Sequence, residues 1–120
     1  RIFYRRYAFS LAIAAETLYR QERFREALGW AERAFGIDPD SSTAAAVLGS
    51  IYLQEGWFEK AESILLDLQK KSPDSPHVLY NLGLLFIFKN RNQDAVTTWR
   101  RLSHLYPGYR NVEEKLKKIE

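Results

Sequence analysis

Asp74, Ser75 and His77 stand within four positions of one another and supply the three side-chain types of an acyl-transfer triad: an orienting acid, a hydroxyl nucleophile and a base. Their setting points elsewhere. Ser75 followed by Pro76 is a helix start, with serine as cap and proline at the first helical position, so the cluster reads as a capping group. His104 is the second of two histidines and falls late in a helix, where it favours the dipole or packs on a neighbour. There is no cysteine, which excludes disulfides, thiolate metal sites and cysteine nucleophiles, and two histidines do not make a histidine-rich metal site. Glu59 with Glu62, and Glu113 with Glu114, are spaced like solvated helix faces. No glycine-rich phosphate loop or dinucleotide fingerprint occurs. The chain is expected to bind rather than catalyse, and to need no cofactor.

The strongest binding signal is Leu79 to Phe88, ten residues in which Tyr80 and Asn81 alone carry a polar side-chain group. As a helix it has two apolar faces, one more than a core seam requires. The chain of 120 residues is 46% hydrophobic and 14% aromatic, enough for a packed core and against disorder. No apolar run approaches the length of a membrane span. With Arg1 first and no methionine, the sequence is expected to be a piece of a longer protein, and the choice between cytoplasm and periplasm stays open. The net charge of +3 is uneven, +1 over residues 1–41, −2 over 42–75 and +4 over 76–120. Solvated helix faces explain this better than an anionic partner or surface does.

The elements that must carry these residues repeat. Pro39, Pro73 and Pro107 are 34 residues apart, Ala27, Ala61 and Ala95 precede them by twelve, and Ala15, Gly49 and Gly83 precede those by twelve. Each copy reads as two helices: Tyr7 to Arg20 and Phe24 to Gly36, Thr43 to Glu55 and Phe58 to Lys71, Pro76 to Lys89 and Asn92 to Leu105. The two- and three-residue connections allow nothing but antiparallel hairpins. Gly56 and Asn90 suit a left-handed helix end at one place in the period, whereas Glu22 does not. The small residues let paired helices approach closely, so leucine at Gly83 is expected to destabilise by roughly 1 to 3 kcal/mol. Val112, Leu116 and Ile119 share one side of a final helix, with Glu113–Lys117 and Glu114–Lys118 as i,i+4 pairs on the other.

Leu48-Gly49 with Tyr52, Ala61 and Pro73, and Leu82-Gly83 with Phe86, Ala95 and Pro107, resemble the tetratricopeptide repeat. The first copy departs most, with Ala14-Ala15 and Leu18 at these places, and Leu11, Ala45 and Leu79 replace the usual early tryptophan. The resemblance implies an all-α, right-handed superhelical solenoid of antiparallel helix pairs in a single domain over 1–120. Its repeats would cover about 8–41, 42–75 and 76–109, with a capping helix at about 110–120 and an N-terminal helix extension at 1–7.

It also implies a concave groove lined by the first helices. At that phase stand Phe9, Ala12, Ile13, Glu16, Tyr19 and Arg20; Thr43, Ala46, Val47, Ser50, Leu53 and Gln54; and His77, Tyr80, Asn81, Leu84, Ile87 and Phe88. Family members that clamp a C-terminal carboxylate place lysine, asparagine and arginine where Ala12, Glu16, Ser50, Tyr80 and Leu84 stand here, so that clamp is absent. The expected partner is a protein or peptide with aliphatic or aromatic anchors, its identity unknown, in a larger assembly. The alternatives are self-association and, with less support, a nucleic acid or anionic surface on Arg100, Arg101, Arg110, Lys115, Lys117 and Lys118.

Overall fold

The computed structural model describes residues 2–120, with side chains from Phe3 onward; Arg1 lies outside the described residues, and with it the first position of the expected N-terminal extension. Every regular element described is helical: α1 (Ile2–Arg20), α2 (Phe24–Ile37), α3 (Ser42–Glu55), α4 (Phe58–Lys71), α5 (Pro76–Phe88), α6 (Asn92–Leu105), a short 3-10 turn (Tyr109–Asn111) and α7 (Val112–Ile119). The chain divides into two compact units, Arg1–Ile64 and Leu65–Glu120, with the division inside α4.

In the first unit α1 packs on α2, and α3 packs on both. Their close approach is made by small residues, Ala12, Ala15, Ala27, Ala31, Ala34 and Ala44 all being fully buried. The α1–α2 turn is closed by Arg23 N–H donating to the Leu18 carbonyl and Glu22 N–H to that of Tyr19. The same pair of bonds recurs 34 and 68 residues on, at Trp57 to Tyr52 with Gly56 to Leu53, and at Arg91 to Phe86 with Asn90 to Ile87. All three turns therefore need a left-handed residue, and Glu22 (φ 62°) adopts that conformation as Gly56 (78°) and Asn90 (59°) do. The expectation that Glu22 breaks the rule is corrected: the closing bonds dictate the backbone, and the side chain tolerates it.

The start of each second helix is also periodic. Arg23 pairs with Glu26 at 2.6 Å and Arg91 with Asp94 at 2.9 Å, both across one helical turn. In the middle copy Trp57 and Lys60 hold these places, and the ammonium lies 5.2 Å from the indole centroid, a cation–π contact in place of an ion pair. Ser41 caps α3 by accepting from Ala44 N–H, whereas Ser75 starts α5 with Pro76 but makes no side-chain cap bond.

Copies differ where one helix face meets its neighbours. Ala44 and Ile51 on α3, and Val78 and Leu85 on α5, are buried. The same period positions on α1 hold Ser10 and Thr17, both exposed, with hydroxyls donating to carbonyls four residues back. That face is thus polar on α1 and apolar on α3 and α5.

In the second unit α5 packs on α6, and α7 packs on α6. The core joins Leu79 and Tyr80 of α5, Val96, Trp99 and Leu102 of α6, and Val112 and Leu116 of α7, with Ile119 at its edge. The apolar side expected of the last helix is the one it buries. Its acidic residues pair differently from expectation: Glu113 turns to Ser103 and Gly108, and Lys117 lies near Glu114.

Candidate functional site

The eighteen expected groove residues separate by burial. On α1, Phe9 is 59% and Ile13 40% exposed. Arg20 is exposed and bridges half-buried Glu16 at 3.5 Å, so this i,i+4 pair holds itself. Tyr19 is half-buried, its ring edge-on to Phe24 with centroids 5.2 Å apart. Thr43 and Ala46 are half-buried and Gln54 is exposed. On α5, His77, Leu84 and Ile87 are half-buried and Phe88 is 51% exposed.

Ala12, Val47, Ser50, Leu53, Tyr80 and Asn81 are buried and present almost no side-chain surface. Ala12 sits in the cluster of Leu11, Ala34 and Ala44, because α2 and α3 both close on that side of α1. Tyr80 departs most from its expected place. Its ring stacks on Trp99 with centroids 5.5 Å apart and meets Tyr109 edge-on. The Lys115 ammonium donates to its hydroxyl at 2.7 Å, and the Arg110 guanidinium lies 5.0 Å above the ring. Leu84 and Ile87 pack against the same cluster. Much of the second apolar face of α5 is therefore covered by the C-terminal segment of its own unit. Helical phase shows which residues share a stripe, not how wide a neighbour's cover over it will be.

Several residues outside the expected groove set line a cavity or complete the core. A cavity of about 560 Å³ opens beside Phe9, lined by Arg5, Arg6 and Ser10 of α1 together with Asp38, Ser41, Ser42 and Thr43. The available signal was that Arg5 and Arg6 lie one helical turn before Phe9 and Ser10. Trp99 lies outside that set too; it shares a period position with Ala31 and Leu65, and all three are buried.

The triad spacing does not become a triad. Asp74 pairs with Arg101, and a ring nitrogen of His77 is 3.2 Å from the Asn81 amide. Glu113 and Tyr52 are shifted in pKa. Ser103 O–H, then Gly108 N–H and its own backbone N–H, hold the Glu113 carboxyl below its ordinary value; burial, and then the charge of Glu32, raise that of Tyr52. Much of the C-terminal basic charge is committed within the unit: Arg100 to Glu120 at 3.5 Å, Arg101 to Asp74, and Arg110 and Lys115 to Tyr80. Among the described residues no helix is long and apolar enough to cross a membrane.

Antiparallel helix pairs whose turn closures and packed small residues recur every 34 residues define a helical-repeat protein. The chain belongs to the tetratricopeptide repeat family, whose model matches residues 18–80, more than half its length. Comparison with curated proteins gave no match. Among solved structures, the chain is similar to the Arabidopsis OM64 TPR domain, with a TM-score of 0.89 and 13% identity over 98% of this chain and 97% of that one. It is similar to the first TPR of Spaghetti (RPAP3) bound to the HSP90 peptide SRMEEVD, with a TM-score of 0.84 and 19% identity over 93% and 89%. The second TPR domain of human RPAP3, in complex with the HSP70 peptide SGPTIEEVD, gives 0.79 and 18% over 93% of each chain. At these identities the likeness shows the fold, an all-α repeat solenoid.

Proposed function

We propose that this chain is a non-catalytic protein-interaction scaffold that binds a peptide segment of a partner through the first helices of its repeats. The observation that carries this is the exposure of Phe9 and Ile13, a large apolar pair one turn apart on α1, beside a cavity with two arginines at its rim. Solved relatives of the same fold bind peptides, which supports the class of ligand. The peptide here is read by apolar anchors rather than by a carboxylate clamp, since the clamp positions hold no lysine, arginine or asparagine and three of them, Ala12, Ser50 and Tyr80, are buried. On the second unit Phe88 is the exposed counterpart.

Panning the domain against a phage-displayed random peptide library tests this. Enriched peptides should carry aliphatic or aromatic anchors and lose binding to a Phe9→Glu variant that melts like the wild type. Enrichment of sequences that bind Phe9→Glu and Ile13→Glu equally well would rule the surface out. Self-association is the second reading, favoured by Phe3, 84% exposed, beside exposed Tyr4 and Tyr7. Light scattering across a concentration series decides it, and a strictly monomeric chain removes it.

A further inference from the structure

In the second unit, α7 occupies a seat built by α5 and α6. Val112 and Leu116 are buried in it and Ile119 packs at its edge, an i, i+4, i+7 stripe. The floor is Tyr80 stacked on Trp99. Lys115, three residues after Val112, lies 4.8 Å from the Tyr80 centroid and donates to its hydroxyl. The seat thus recognises two things: an aliphatic stripe and a cation at i+3.

Two features make α7 a weak tenant. It has eight residues, too few for a helix to persist by its own propensity. Its tether runs through the left-handed region at Gly108, Arg110 and Asn111, with φ of 84°, 46° and 57°, at a cost that falls mainly on Arg110 and less on Asn111. The cover is also partial, because Leu84, Ile87 and Tyr109 pack at the margin of the cluster while remaining half-exposed. A longer helix of the same pattern would bury more of that margin and would bring its own stability.

We propose that this seat is an exchangeable helix-binding site, occupied in cis by α7 and in trans by a longer amphipathic helix of a partner protein, aliphatic at i, i+4 and i+7 with lysine or arginine at i+3. The mode is helix-in-groove recognition, with α7 as the built-in competitor at high local concentration. It is separate from the α1 surface proposed above, and either can stand without the other.

The probe is a fluorescein-labelled peptide of residues 110–120 extended by two turns, with leucines continuing the stripe. Anisotropy should show saturable 1:1 binding to the full chain. Asn111→Gly relieves the tether and should weaken the probe two- to fivefold by holding α7 down. Glu113→Gln removes the carboxylate that ties α7 to Ser103 and Gly108, and should tighten the probe several-fold. Opposite shifts from two variants outside the seat would not follow from a merely structural helix. Native-state hydrogen exchange should release α7 amides ahead of those of α5 and α6. Absence of saturable binding, equal affinity for both variants, α7 amides that exchange only with α5 and α6, or dimers formed by swapping α7 between copies would each overturn the proposal.

Discussion

The indole of Trp99 lies where a side chain on Gly83 would have to be: a Cβ placed there would overlap its Nε1, Cδ1 and Cε2. Trp99 cannot easily yield, being 2% exposed, stacked on Tyr80 and hydrogen-bonded through Nε1 to the Tyr80 carbonyl at 3.1 Å. Even Gly83→Ala should therefore destabilise, by about 1–3 kcal/mol, despite the gain in helix propensity. Gly29, inside α2 with open space for 4 Å around the point where a methyl group would sit, is the control, and Gly29→Ala should stabilise by about 0.5–1 kcal/mol. Chemical denaturation of both variants checks the contrast.

Glu22 is exposed in a left-handed conformation that glycine adopts freely. Glu22→Gly should stabilise by about 0.5–1 kcal/mol, the relief of strain exceeding the added entropy of the unfolded chain. Gly56→Ala, at the equivalent turn, should destabilise by about 1 kcal/mol. Thermal melting of the pair measures both signs.

Lys60 replaces the acid of the neighbouring copies and lies over both Trp57 and Tyr52. Lys60→Ala should lower stability by about 0.5–1 kcal/mol, whereas Asp94→Ala, which breaks the exposed pair with Arg91, should change it by about 0.5 kcal/mol or less. High salt should shrink the second effect and leave most of the first.

The Glu113 carboxyl is held below its ordinary value by the Ser103 hydroxyl and the Gly108 N–H. A lowered folded-state value means that its contribution is present above the unfolded carboxyl pKa of about 4.3 and is lost as pH falls through the folded value. Glu113→Gln should be less stable than the wild type at pH 7, and the gap should narrow as pH falls toward 3. Denaturation midpoints at the two pH values report it.

Leu84 packs on the core of the second unit while Phe88 is half out of it. Leu84→Glu should destabilise that unit, because a carboxylate would replace apolar contacts that the half-buried leucine makes with the core. Phe88→Glu should melt like the wild type and lose peptide capture. Circular dichroism and a binding assay on the same samples distinguish the two.

The helices, their pairing and their 34-residue period are legible in the sequence because each is a local matter: apolar spacing, a proline that ends a helix, a small residue where backbones approach. Even the buried side of α7 follows from the spacing of Val112, Leu116 and Ile119. The candidate site was legible only as a stripe, of which Phe9, Ile13 and Phe88 are exposed. What the sequence by itself could not decide is which part of the stripe stays open. Tyr80, Leu84 and Ile87 share their helix face with Phe88, yet they lie against a core completed by Tyr109, Val112 and Leu116, more than twenty residues further along the chain. Only the tertiary structure decided that, because cover is the property of two surfaces brought together and a period describes one.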